Sequence, residues 1–129
     1  MPIRIVRLGA PRHPEEGVRI GTARRPPRGV RKEDYARLDF FDAWLPELAP
    51  SAETVSWAQS ERLTPKRWAA FVKRYKREMA APAAQRVLTL LAALSLQTNF
   101  SVGCYCADES ECHRTVLRDL LIERGAKIV

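Results

Sequence analysis

The chain has 129 residues, of which 46% are hydrophobic and 29% charged. These proportions exclude a disordered or low-complexity chain, and the length suits one domain with one core. Twenty-two basic against fifteen acidic side chains leave a net charge of +7, which favours an anionic partner over a cationic one.

No apolar run reaches the ~18 residues of a membrane span. The longest, around Val87–Leu96, is interrupted by Thr89 and Ser95, so no membrane partner is expected. The first residues are basic but lack the apolar stretch of a signal peptide, and the expected location is cytoplasmic. The three cysteines, Cys104, Cys106 and Cys112, fall within nine residues. That clustering is a local feature of one segment and not a secreted disulfide framework.

In chain order, IRIVRL at 3–8 predicts a strand. Residues 9–31 hold four of the six glycines and four of the nine prolines, which predicts loop with room for a short strand at Val18–Thr22. Tyr35, Leu38, Phe41, Leu45 and Leu48 recur at spacings that suit a helix over 33–48, with Pro46 disturbing its end. Ser51 is a good N-cap for a short helix at 52–59. Thr64-Pro65 is a helix start signal. Behind it Trp68, Phe71, Val72, Tyr75 and Met79 make one apolar face, opposite Arg67, Lys73, Arg74, Lys76 and Arg77. Pro82 opens a second helix over 83–97, apolar nearly all round and therefore expected to be buried. FSVGCYC at 100–106 has the length of a strand, with Cys104 and Cys106 on the same face. A polar loop at 107–112, a third helix over Thr115–Arg124 capped by Gly125, and a last strand at Lys127–Val129 complete the chain. Strands alternating with helices predict an α/β domain: a small, mostly parallel sheet flanked by helices. No glycine-rich phosphate loop or dinucleotide fingerprint is present, and no cofactor is assigned.

Charge is distributed in blocks. Residues 1–32 carry nine basic and two acidic side chains, 33–61 one and seven, and 62–86 eight and one. Either the acidic block docks against a basic one, or a basic block forms an anion site.

Chemistry concentrates in GCYCADESECHRTVLRDLL, 103–121. This stretch reads as strand, polar loop and helix, where open α/β sheets bind ligands and where helix N–H groups meet anions. Cys106 or Cys112 is a candidate reactive thiolate beside His113 and Arg114. The cysteine-to-arginine offsets are ten, eight and two, so the phosphate loop of protein tyrosine phosphatases is absent. Cys104, Cys106, Cys112 and His113 are the right residue types for zinc, but their spacing argues against it, and no metal is assigned. Buried, inert cysteines are the third reading. A second cluster is TARRPPRG, 22–29, whose prolines stiffen a loop carrying Arg24, Arg25 and Arg28. Arginine forks match the paired oxygens of phosphate and carboxylate.

The motifs Arg-Pro-Pro-Arg-Gly at 25–29, Trp44 leading to Leu48-Ala49-Pro50-Ser51, Trp68…Phe71…Tyr75, and Cys-Tyr-Cys…Cys-His-Arg at 104–114 occur in one order. Together they resemble the YeaO-like proteins, a bacterial family classed as domain of unknown function number 488. The resemblance runs from about residue 4 to residue 126. It implies an α/β fold with these motifs gathered near one cleft. Ala23 stands where that family commonly has aspartate, and Pro26 where it has tryptophan. The resulting expectation is an anion-binding cleft lined by Arg24, Arg28, His113 and Arg114, with Cys106 and Cys112 beside them. It would take a phosphate-bearing small molecule or a nucleotide. A nucleic-acid-binding module and a cysteine-dependent hydrolase or transferase are the alternatives.

Overall fold

Four parallel strands form one sheet in the computed structural model, which describes residues 2–106 and 112–129. The strands are β1 (Ile3–Arg7), β2 (Val18–Gly21), β3 (Ala43–Trp44) and β4 (Phe100–Cys104). Their order across the sheet is β1-β4-β2-β3, so the strand latest in sequence is internal. It pairs with β1 from Ile3–Phe100 to Arg7–Cys104, and with β2 from Val18–Phe100 to Gly21–Gly103. An internal parallel strand is covered on both faces and reads as a continuous run without polar alternation. All five residues of β4 are buried.

Among the described residues four helices accompany the sheet: α1 (Ala52–Gln59), α2 (Pro65–Met79), α3 (Pro82–Leu94) and α4 (His113–Glu123). The predicted α/β class therefore holds. Ile3, Ile20, Phe100 and Val102 of the sheet join Phe71, Tyr75, Leu88, Leu91, Leu117 and Leu121 of the helices in one core. The opposite face of β4 is met by the loop after β1. Ser101 donates to buried Glu16 at 2.6 Å, and Leu8 lies against Gly103.

The start signals act as read. Ser51 Oγ accepts from the Thr54 N–H, and Thr64 Oγ1 accepts from the Arg67 N–H. Glu78, near the end of α2, accepts from the Ser51 N–H, the Ser51 hydroxyl and the Thr54 hydroxyl at 2.6–2.8 Å. Burial alone would raise the Glu78 carboxyl, but these bonds and the charge of Arg74 outweigh it and lower it. The contact ties the first turn of α1 to α2. Glu78→Ala removes three acceptor contacts, and we expect it to cost about 2 kcal/mol. The readout is a lower urea midpoint at unchanged slope.

Four expectations need correction. The helix predicted over 33–48 is instead a 3-10 turn at Lys32–Asp34, the short strand β3, and a second 3-10 turn at Pro46–Leu48. Asp39 sits at φ +63°, outside any right-handed helix. Its carbonyl accepts from the Gly9 N–H and from Arg19 Nη1, so tertiary bonds replace the helical ladder. The helix predicted over 83–97 ends at Leu94 and is buried on one side only. Ala84, Leu88, Leu91 and Ala92 face the core, while Leu90 is 57% exposed. Residues 127–129 form a single bridge, Ile3–Ile128, in place of a strand. The helix expected from Thr115 begins two residues earlier, at His113. The polar loop expected at 107–112 lies, for 107–111, outside the described residues.

The acidic block does dock in part. Arg12 meets Asp39 at 3.2 Å and Asp42 at 2.8 Å.

Candidate functional site

The carboxyl ends of β2 and β4 lie side by side, and α4 begins beside them. Gly103 carbonyl accepts both the Thr22 N–H at 2.8 Å and the Thr22 hydroxyl at 3.0 Å. Thr22 carbonyl in turn lies 2.9 Å from His113 Nε2. A carbonyl only accepts, so Nε2 carries the hydrogen. In the neutral ring Nδ1 is then the acceptor. It faces Cys112 Sγ at 3.7 Å. The imidazole is thus held by β2 and paired to the Cys112 thiol.

Alternation along the chain puts Cys104 and Cys106 on one side, with sulfurs 4.0 Å apart. Cys112 is the N-cap residue of α4, in ordinary extended backbone at φ −125° and ψ 150°, and needs no strained turn. It brings in a third sulfur, and all three lie within 4.8 Å of one another. Cys104 and Cys112 are buried, whereas Cys106 is exposed. Hydrogen bonds from Cys104 and Cys112 lower the Cys106 thiol well below the ordinary range, with help from the Arg114 charge. The same bond to Cys106 raises the Cys104 thiol. Ala23, where aspartate was expected from the resemblance, packs against Cys104 and Cys112 and leaves an apolar wall beside the sulfurs.

Of the four expected cations, Arg24, Arg28 and His113 line one cavity and Arg114 does not. Half-buried Arg24 donates to the carbonyls of Pro50, Pro46 and Ala49 at 2.8, 3.1 and 3.2 Å. It gathers the turn before α1. Arg114 is 3% exposed and donates from Nη2 to the Cys106 carbonyl at 2.6 Å. His113 is buried but reaches the cavity wall, while Arg25 and Arg28 are exposed. A cavity of about 730 Å³ lies among these groups, and Arg25, Arg28, Phe40, Tyr105, Cys106 and His113 all line it. The arginine loop and the cysteine motif, about 80 residues apart in sequence, therefore share one cavity.

The model of one family, described as the active DUF488-N3 subclade, matches residues 3–125. The chain belongs to that family. The family read from the motifs is thus the one found. No curated protein and no solved structure matches the chain. One contributor in this DUF488-N3 member, Thr22, escapes a reading of sequence alone. Thr22 has no unusual context until β2 is placed beside β4. Arg25, already named with its loop, differs from Arg24 only in the direction that the fold gives it.

An aromatic ladder supports the site from beneath. Phe71 and Tyr75 are stacked, with ring centroids 6.3 Å apart, and Tyr75 lies 5.4 Å from the His113 ring. Tyr75 is fully buried, and its hydroxyl donates to the Leu48 carbonyl at 2.6 Å.

Proposed function

We propose that this domain binds a phosphate-bearing small molecule of about nucleotide size in the cavity at the ends of β2 and β4. The observation that carries this reading is the convergence of exposed Arg25 and Arg28 on the cavity that holds Cys106 and His113. Two prolines between the pair, Pro26 and Pro27, limit the loop's conformations, so less order is lost when an anion is gripped. The lining also has an apolar part, with Val55, Leu63 and Phe71. A cavity of ~300–1,000 Å³ with an apolar wall and a few polar groups is the usual form of a small-molecule site. A location in the cytoplasm fits a ligand of this kind.

Thiol chemistry at Cys106 is a second reading. It is favoured by the exposure of that sulfur toward the same cavity, and the word "active" in the family's description accords with it. A nucleic-acid surface has less support. Arg67 and Arg74 of the second basic block stack over the Trp57 ring at 4.4 and 4.7 Å, and so serve the fold.

Calorimetric titration of the full chain with inorganic phosphate and with nucleoside mono- and diphosphates tests the leading reading. Arg25→Ala/Arg28→Ala is expected to weaken binding about 100-fold or more, as two charge-assisted contacts are worth ~1.5–3 kcal/mol each. No measurable binding, or equal affinity in the double variant, rejects it. Binding of DNA or RNA with a steep salt slope would favour the nucleic-acid reading instead.

A further inference from the structure

We infer that Cys104, Cys106 and Cys112 form a three-thiolate site for zinc(II). Three independent features of the geometry carry this. The first is spacing. A tetrahedral zinc with bonds of about 2.3 Å to sulfur needs sulfurs about 3.8 Å apart. Cys104 and Cys106 stand at 4.0 Å, and no pair of the three exceeds 4.8 Å. Movements of a few tenths of an ångström per sulfur close the site. The sequence spacing that argued against zinc is no obstacle, because strand alternation brings residues two apart onto one side. The third ligand arrives from α4.

The second feature is the fixing of the ligands from outside. Cys112 faces His113 Nδ1, whose ring is anchored through Nε2 to the Thr22 carbonyl. A side chain that orients a metal-binding group and is itself hydrogen-bonded is a usual support of a metal site. His113 is therefore a supporting residue packed beside Cys112 and not the fourth ligand: among the described residues the cluster consists of the three sulfurs, and Nε2 is held by the Thr22 carbonyl.

The third feature is charge and access. Three thiolates and one zinc ion sum to a single negative charge. The buried Arg114 guanidinium, bonded at the Cys106 carbonyl, is placed to offset it. Two of the sulfurs are buried and the third is exposed at the cavity. Three protein ligands with one open side make up the arrangement of sites that keep a position free for a further ligand. Ala23 packs against Cys104 and Cys112 and gives the site an apolar wall.

The inference does not depend on the anion reading, and its test has its own readout. The full chain, reduced and freed of metal, is titrated with cobalt(II) as a spectroscopic probe. It is then titrated with zinc(II) against a chromophoric chelator. One equivalent of cobalt should give sulfur-to-metal charge transfer in the near ultraviolet together with the strong visible bands of a tetrahedral centre. Zinc should displace it. Cys104→Ser, Cys106→Ser and Cys112→Ser should each weaken zinc binding more than about 100-fold. His113→Gln should weaken it about 10–100-fold and keep the charge-transfer bands, as removal of a supporting partner does. Circular dichroism of each variant separates lost ligands from lost folding. Absent one-to-one uptake by the folded wild type overturns the inference. So do cobalt spectra without sulfur bands, or a folded cysteine variant that binds zinc like the wild type. Uptake of copper(I) but not zinc overturns the choice of cation. Failure of Arg25→Ala/Arg28→Ala to alter zinc affinity is the expected result, which keeps this test separate from that of the anion.

Discussion

Arg19→Met should destabilise the protein by about 3–5 kcal/mol, the usual loss when one partner of a buried ion pair is removed. Arg19 is fully buried on β2 and Glu16 is 2% exposed. Their charged atoms meet at 2.6 and 3.0 Å. The guanidinium also donates to the carbonyls of Ala10 and Asp39 at 2.8 and 2.7 Å. Methionine matches the length of the stem but supplies none of these donors. It would leave a carboxylate and two carbonyls without their cation on the face of the sheet opposite the helices. Urea unfolding measures the loss, and a change below about 1 kcal/mol would show that the pair is dispensable. Arg19→Met/Glu16→Leu should recover part of the stability, because no lone charge remains.

The same pair gives a pH dependence of known sign. Burial would raise the Glu16 carboxyl above its ordinary value of 4.5, but bonds from Arg19, Ser101 and the His13 backbone outweigh it and hold it at about 2. A group whose folded value is lowered stabilises fully above its unfolded value and loses that contribution as pH falls toward the folded one. Stability should therefore decline between roughly pH 4.5 and 2, by about 3 kcal/mol from this group. Glu16→Gln should flatten that limb. An acid limb as steep as that of the wild type would assign it to other carboxylates.

What the sequence showed and what it hid divide along one physical line. α2 was legible because its signals are local: Thr64 and Pro65 start it, and Phe71, Tyr75 and Met79 repeat at helical spacing into the core. β4 was legible because an internal strand is covered on both faces, and FSVGC carries no charged residue. The segment 33–48 misled because its apolar residues do keep a helical spacing. Phe41 and Leu48 are buried as that spacing suggests, but on a looped path set by Asp39 and its distant partners. In the site, alternation alone placed Cys104 beside Cys106. Nothing local could bring Cys112 to them, since that contact depends on how α4 packs back against β4. The arginines show the same limit. Arg24, Arg25 and Arg28 are chemically alike, and only the course of the Pro46–Pro50 turn decides that Arg24 is consumed by carbonyls while the other two remain exposed.

Gly103→Ala should cost about 3 kcal/mol, the upper part of the range for overfilled interiors, and should disturb the sulfur cluster without touching a sulfur. A Cβ at Gly103 would stand 2.7 Å from the Val6 carbonyl oxygen, 2.8 Å from Val6 Cγ2 and 2.9 Å from Leu8 Cδ2. The two side-chain atoms can yield. The carbonyl oxygen belongs to β1, which is paired to β4 residue by residue from Ile3 to Arg7, so relief requires the two strands to part. Gly103 carbonyl also holds Thr22 through two bonds, and the Thr22 carbonyl holds His113. A shift of β4 therefore propagates to the ring that faces Cys112, and it moves the adjacent Cys104 directly. Zinc affinity should fall together with stability in this variant. Adding Leu8→Ala should recover little, because the backbone clash remains. Substantial recovery in Leu8→Ala/Gly103→Ala would place the conflict on the side chain and remove the link from sheet to site. A stable Gly103→Ala with unchanged metal uptake would show that β4 accommodates a methyl group without moving its cysteines.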